Sequence, residues 1–441
     1  MNTWLKIDFI PYLGHHLTVT LCPPTGHKGT ANLLTACRIL WKNIRRLVFQ
    51  VDIKLSGRVG RVKPSPTLAI TALAAQLKAS GRDIIGLGAG EPDFDTPDHI
   101  KQAGIEAIQR GETRYTAVDG TPALKQAIIR KFKRENGLDF TPKQILVSCG
   151  GKQSFYNLCQ ALLDAGDEVI IPAPYWVSYP DMVLLADGVP VIVAAGQSEH
   201  FKLSAAKLEA AITPKTRLFV LNSPSNPTGV AYTLAELQAL GEVLRRHPHV
   251  LIATDDMYEH VLFGGKSFVN ILNACPDLYE RTIVLNGVSK AYSMTGWRIG
   301  YAGGPEKLIQ AMSMVQSQST SNPTSISQYA AVVALDGDQG FIQTMVKAFE
   351  QRHDYVLKTF NAMDGIECLP ADGTFYSFPN AEGMIKRLGL KNDAELASYL
   401  LDKVGVAVVP GSAFGLEGHF RISFATSMAN LENALGRIAS V

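Results

Sequence analysis

The chain has 441 residues, 46% apolar and 19% charged, and Lys+Arg 42 against Asp+Glu 40 leaves a net charge of +2. Such ordinary globular usage excludes global disorder, the length implies two or three domains, and the charge balance gives no electrostatic footprint for nucleic acid or an anionic membrane. No run of 18 uncharged apolar residues occurs, and six scattered cysteines (Cys22, Cys37, Cys149, Cys159, Cys275, Cys368) form no Cys-x-x-Cys pair, which argues against a spanning helix, a disulfide framework and a zinc site.

In chain order, residues 1–54 stand apart. Residues 1–50 hold one acid, Asp8, against six bases, with no sustained period of 2 or 3.6 and no legible signal-peptide core. The expectation is an appendage outside the folded body and dispensable to it. It would be a transit segment if the protein is organellar, or an artefact of the assumed start, for which Val51 offers an alternative initiator. Residues 55–97 and 336–441 combine long helical patterns (Gly340 to Met363, Asp393 to Val404) with isolated strands such as Val406–Val409 and Phe420–Phe424. They are expected to form one smaller α+β domain from both ends of the chain.

Residues 98–335 read as a larger α/β domain. Seven short apolar runs recur, at Ile145–Ser148, Val169–Ile171, Val189–Val193, Arg217–Leu221, Val250–Ala253, Thr282–Leu285 and Ile299–Ala302. Runs of this length rich in β-formers predict strands buried on both faces, hence a mostly parallel, seven-stranded sheet covered by helices. Phe155, Leu158, Cys159, Leu162 and Leu163 mark one face of a helix, and Thr233 with Glu236 forms a capping box for another. The Ser- and Thr-rich stretch Gln316–Ser327 predicts a surface or interface loop.

Ligands of open α/β sheets bind beyond the carboxyl ends of the strands, so the polar residues that follow each run are the candidates for chemistry. They are Gly150-Gly151-Lys152, Pro174-Tyr175-Trp176, Asn226, Asp255 with Tyr258, and Ser289-Lys290 followed by Arg298. Several carry a plain structural alternative: the Gly pair as a turn, Asp255 as a helix cap, Asn226 as a turn residue, Trp176 as core packing. Lys290 is the sharper signal. It follows a buried strand among small and apolar residues, where a lysine is paired or has a lowered pKa, the condition for Schiff-base chemistry, and Arg298 could fork onto a phosphate.

Five motifs in order, Gly90-Glu-Pro-Asp-Phe-Asp-Thr-Pro97, Pro224-Ser-Asn-Pro-Thr-Gly229, Thr254-Asp-Asp-Met-Tyr-Glu-His260, Gly287-Val-Ser-Lys-Ala-Tyr-Ser-Met-Thr-Gly-Trp-Arg-Ile-Gly-Tyr301 and Phe420-Arg-Ile-Ser-Phe-Ala-Thr-Ser427, resemble the class I aminotransferases, pyridoxal-phosphate enzymes of fold type I. Within them the match is to the bacterial-type subgroup of aspartate and aspartate/prephenate aminotransferases, from about Leu55 to the C-terminus. The resemblance implies that Lys290 is the Schiff-base lysine and proton shuttle. It implies that Asp255 pairs with the pyridinium nitrogen, that Tyr258 and Asn226 bond the ring oxygen, and that Trp176 stacks on the ring. The phosphate falls to the Gly151 and Lys152 backbone, Ser289, Arg298 and, across a homodimer interface with shared active sites, Tyr115. Arg421 would clamp the substrate α-carboxylate with the Gly90 amide assisting.

No arginine occurs between Arg298 and Arg352, so the neighbouring-subunit arginine that other aspartate aminotransferases use is missing. The resemblance puts Lys152 in its place, with Thr67 closing above it and Lys63 linked to prephenate use. The expectation is a cytoplasmic ping-pong aminotransferase of amino acids and 2-oxo acids, with pyridoxal 5'-phosphate, no metal, and neither nucleic acid nor membrane as partner. An aminotransferase for aromatic or neutral amino acids and a C–S lyase of the same fold are the alternatives. A DNA-binding regulator needs more than the first fifty residues offer.

Overall fold

The computed structural model describes residues 53–64 and 66–441. All but the last two positions of the expected N-terminal appendage therefore lie outside the described residues. Residues 57–441 form one compact unit. In chain order its strands are β1 (Ile85–Gly86), β2 (Ile145–Ser148), β3 (Glu168–Ala173), β4 (Val189–Ala194), β5 (Thr216–Asn222), β6 (Leu251–Asp255), β7 (Thr282–Gly287), β8 (Gly300–Gly303), β9 (Tyr376–Ser377), β10 (Val406–Ala407), β11 (Val409–Pro410) and β12 (Phe420–Ser423).

Strands β2 to β8 make one seven-stranded sheet in the order β2-β8-β7-β6-β5-β3-β4. The five strands β3 to β7 run parallel to one another, and β8 is antiparallel to both its neighbours, β2 and β7. This is an α/β fold with a mostly parallel sheet. Side chains alternate between two cores. Leu146, Val169, Ile171, Leu218, Val220, Ala253, Ile283 and Leu285 pack on one face beneath helices Gly151–Leu162, Tyr179–Leu185 and Glu306–Ser317. Val147, Ile170, Phe219, Ile252, Val284 and Tyr301 pack on the other, beneath helices Pro122–Lys131, Leu234–Arg246 and Ser325–Asp336. Apolar residues at both parities explain why these strands read as continuous runs rather than as alternation.

The remaining strands form small sheets. β1 pairs in parallel with β10, and β11-β12-β9 is antiparallel. The helix opened by Thr233 has the expected box, with Glu236 accepting from the Thr233 amide at 2.7 Å.

Three readings need correction. β4 is not buried on both faces: it lies at the sheet edge, with Val189 and Ile192 exposed. The run Val406–Val409 is two strands in two different sheets, because Val408 turns the chain from one ladder into the other. The stretch Gln316–Ser327 is not a surface loop throughout, since both its ends are helical. Gln316 is fully buried and donates to the carbonyls of Val118 (2.7 Å) and Val147 (2.8 Å), while its own oxygen accepts from Asn157 (2.9 Å).

Candidate active site

The carboxyl ends of the parallel strands meet along one sheet edge, and the register places them side by side. Asn222 at the end of β5 lies opposite Asp255 at the end of β6. Ser148 at the end of β2 and Gly287 at the end of β7 both face Gly300, where β8 begins. Because β8 runs against its neighbours, its start falls at the edge where the others finish, and Arg298 arrives beside Gly150.

Side-chain contacts close these residues into a circuit. Lys290 Nζ donates to the Gly90 carbonyl and lies 5.9 Å from the rings of both Tyr258 and Phe375. Tyr258 Oη is 2.8 Å from Tyr376 Oη, and the Tyr376 ring lies 4.4 Å beneath the Arg421 guanidinium. Arg421 donates through Nη1 to Asn226 Oδ1 (2.8 Å) and through Nη2 to the Gly88 carbonyl (2.7 Å). The Asn226 amide donates to Asn222 Oδ1 (2.9 Å), and Asn222 Nδ2 donates to the Asp255 carbonyl (3.0 Å). Asp255 Oδ2 accepts from Tyr179 Oη, whose ring meets Trp176 edge-on at 5.2 Å, and the Lys152 ammonium sits 5.1 Å over Trp176. Arg298 donates to the carbonyls of Thr295 (2.9 Å) and Cys149 (3.0 Å), against Gly150 and the head of helix Gly151–Leu162.

Of the residues singled out from sequence, Gly90, Gly151, Lys152, Trp176, Asn226, Asp255, Tyr258, Ser289, Lys290, Arg298 and Arg421 share this edge or this circuit. Three stand apart. Tyr115 is 92% exposed. The exposed Lys63 donates its backbone amide to Asp181 Oδ1 at 3.4 Å, and Thr67 Oγ1 has no hydrogen-bond partner among the described residues. Sequence reasoning missed Asn222, Tyr179 and Tyr376. Asn222 could have been found, as the polar residue that ends its run. Tyr376 could not, because nothing in its local sequence distinguishes it from a core tyrosine.

The electrostatics are one-sided. Lys152, Lys290, Arg298 and Arg421 converge here, and among the described residues none of them has a carboxylate within ion-pair distance. Burial pushes the Lys290 amine down to about 8, with Arg421 and Arg298 adding to the effect and Glu91 and Asp255 opposing it. Crowding around its ammonium end lowers Lys152, and neighbouring Arg298 lowers it further, although the side chain as a whole is exposed. Burial raises the Asp255 carboxyl, while the Tyr179 hydroxyl and the Met257 amide pull it back. Arg421 is 2% exposed, and its Nε is buried with no partner among the described residues. A buried guanidinium left in this state is costly unless an anion completes it. The edge therefore offers anion-binding groups at several points, two lysine amines of depressed pKa, and one half-buried carboxylate.

A metal site is a different matter. Ligand atoms of Glu135, Glu259 and His260 lie within 4.8 Å of one another, but the Lys131 ammonium is already paired with both acids.

A mostly parallel α/β sheet with a lysine amine, a half-buried carboxylate and an anion cradle at its carboxyl edge defines a pyridoxal-phosphate transferase of fold type I. The chain belongs to the aminotransferases of class I and II, whose family model matches residues 82–438. It is 62% identical over 395 residues to the aspartate/prephenate aminotransferase of Nitrosomonas europaea, covering 88% of this chain and 100% of that one. Among solved structures, the aspartate aminotransferase of Rhizobium meliloti shares 53% identity at a TM-score of 0.85, over 88% of this chain and 98% of its own. The aspartate aminotransferase of Thermus thermophilus solved with maleate shares 42% at 0.83, over 88% and 99%. The enzymes of this family depend on pyridoxal phosphate, and the residues present fit it. A phosphate matches Arg298, Ser289 and the Gly151 and Lys152 amides, which head a helix and lack intrahelical partners there. A pyridine ring matches Trp176 and Asp255, and an aldehyde matches Lys290. Among the described residues no helix is long and apolar enough to cross a membrane.

Proposed function

We propose that this aminotransferase moves the amino group of aspartate, and of related dicarboxylic amino acids, to 2-oxoglutarate by a ping-pong mechanism, and that prephenate is a further acceptor. The observation that carries the reading is Arg421: a buried guanidinium with no acidic partner among the described residues, fixed by Asn226 and Gly88 in a circuit that also holds the Lys152 ammonium over Trp176. Two cations without carboxylates suit a substrate with two carboxylates. The relative named for aspartate and prephenate and the Thermus enzyme solved with maleate, a four-carbon dicarboxylate, support the same reading.

Bound at this edge, pyridoxal phosphate supplies an aldehyde that exchanges for an amine and a ring that withdraws electrons from the substrate Cα. The chain's own residues do the rest. Arg298, Ser289 and the Gly151 and Lys152 amides hold the phosphate, with Tyr115 reaching the neighbour's site in a two-fold homodimer. Trp176 stacks on the ring, Asn226 and Tyr258 bond its oxygen, and Asp255 keeps its nitrogen protonated. Lys290 holds the cofactor and then moves the proton at the substrate Cα, a task that its lowered pKa suits. Arg421, with the Gly90 amide, clamps the α-carboxylate, and Lys152 meets the distal one; Thr67 and Lys63, which stand apart from the circuit, would have to close over it. The sheets of β1/β10 and β9/β11/β12 belong to a smaller domain built from residues 55–97 and 336–441, beside a larger domain of residues 98–335. The setting is cytoplasmic.

The test is a panel of amino donors and 2-oxo acids with the purified holoenzyme and its Lys152→Ala variant. Truncating one partner of a desolvated charge pair costs about 2–5 kcal/mol, so the variant should lose that much efficiency toward aspartate and much less toward alanine or phenylalanine. A uniform loss would mean that Lys152 serves the phosphate, and parental preference for phenylalanine or turnover of cystathionine would favour an aromatic aminotransferase or a C–S lyase.

A further inference from the structure

Asp255 is held by a residue outside the five motifs. Tyr179 opens the helix Tyr179–Leu185, three residues after Trp176, and is almost wholly buried. Its ring is wedged between Phe155 (4.8 Å) and the edge of Trp176 (5.2 Å). From there Oη donates to Asp255 Oδ2 at 2.5 Å, while the Met257 amide donates to Oδ1 at 3.2 Å. Each carboxylate oxygen thus has one fixed protein donor and keeps a lone pair free.

The geometry points to Tyr179 as a positioning residue: its hydroxyl fixes the orientation and charge of Asp255 while its ring fixes the edge of Trp176, so that carboxylate and indole meet one bound cofactor in register. The inference rests on the proposed role of Asp255 toward the ring nitrogen. Tyr179 suits the task because it cannot compete for the charge. Burial, followed by the Asp255 carboxylate, keeps its hydroxyl well above the usual tyrosine range, so it remains a neutral donor. A donor to the ionised form also opposes the burial that would otherwise neutralise Asp255. The other charged or titratable groups around this carboxylate are Lys290, on the loop after β7, and Asp256 and Tyr258, on its own turn. Tyr179 is the one that bonds it directly. Phenylalanine would preserve the ring packing and delete the donor alone, which makes the two contributions separable.

The experiment uses full-length holoenzyme in four forms: parent, Tyr179→Phe, Asp255→Asn and the double variant. Readouts are kcat and KM for aspartate, the pH dependence of kcat, and the pH titration of the bound cofactor's near-ultraviolet and visible absorbance without substrate. A hydrogen bond to a charged group is worth enough to change kcat about tenfold to a hundredfold. Tyr179→Phe should lower kcat by that factor with KM within about twofold, move the acid limb of the profile to higher pH, and shift the absorbance titration. In the Asp255→Asn background the same substitution should add less than about twofold, because its target is gone. Tyr179→His, which keeps a ring and a donor, should recover part of the loss. An unshifted pH profile and absorbance titration, or the full loss repeated on top of Asp255→Asn, would reduce Tyr179 to packing and overturn the inference while leaving Asp255 in place. Parental rate and absorbance in Asp255→Asn alone would remove Asp255 from the site, and this inference with it.

Discussion

A β-carbon on residue 150 would lie 2.1 Å from Nη2 of Arg298. Gly150 also has φ +86°, where side-chain-bearing residues are strained, and it stands immediately before the helix Gly151–Leu162. The glycine is thus the space into which the guanidinium fits, and the arginine's bond to the Cys149 carbonyl holds it there.

Gly150→Ala should therefore weaken cofactor binding more than it weakens the fold. Backbone strain of this kind costs roughly 1–3 kcal/mol, and on the proposed role of Arg298 its displacement would also remove a phosphate donor. Fluorescence titration of cofactor-free protein with pyridoxal phosphate should show a dissociation constant raised about tenfold or more. Unchanged affinity would mean that Arg298 contributes nothing to phosphate binding.

Arg421→Lys tests the other end of the site. A lysine keeps the charge but loses the planar fork: its single nitrogen cannot take the places of both Nη1 toward Asn226 Oδ1 and Nη2 toward the Gly88 carbonyl and still present a bidentate face to a carboxylate. Efficiency should fall by about 2–5 kcal/mol for every amino acid, dicarboxylic or not, while the absorbance of bound cofactor stays at its parental value. A loss confined to dicarboxylic substrates would exchange the roles of Arg421 and Lys152.

Lys290 links stability to pH. Its amine is lowered from 10.5 to about 8 in the folded protein. Between those values the unfolded chain holds a proton that the folded chain has released, so stability rises with pH through that window. Below it the folded protein bears the cost of desolvating the partly buried ammonium, on the order of 3 kcal/mol at most. Cofactor-free Lys290→Met should thus unfold at higher denaturant than the parent at pH 7, with the gap narrowing by pH 9. A constant gap would contradict the lowered pKa.

Behind the site, the buried Lys131 ammonium is paired with Glu259, which also accepts from Asn136 Nδ2 (2.7 Å) and Asn286 Nδ2 (2.7 Å). Lys131→Met leaves that carboxylate with only the His260 ring beside it, 3.8 Å away, and should cost about 3–5 kcal/mol in chemical denaturation. The double variant Lys131→Met/Glu259→Gln should recover part of this. If it recovers nothing, the loss comes from packing rather than charge.

Much of the fold was legible from local signals. All seven apolar runs are strands of the large sheet, and the Thr233–Glu236 box begins its helix where the spacing put it, because burial on both faces and capping act over a few residues. The candidates after the runs were legible for a related reason: parallel strands must end at one edge, so whatever follows Ile145–Ser148, Thr216–Asn222, Leu251–Asp255 and Thr282–Gly287 is brought together by topology alone.

Partnerships across the sheet were decided only by the tertiary structure. That β8 runs antiparallel, and so delivers Arg298 to this edge, depends on which strands lie beside it. Arg421 finds Gly88 across 333 positions and Asn226 across 195, and Tyr179 finds Asp255 across 76. Gln316 sits in a polar Ser/Thr stretch that reads as exposed, yet it is buried because its amide satisfies two carbonyls left open between elements. Hydrophobic period and capping are set by neighbours in the chain, so one sequence displays them. A hydrogen bond between distant side chains exists only after the sheet order has placed its two ends together, and no local pattern encodes that order.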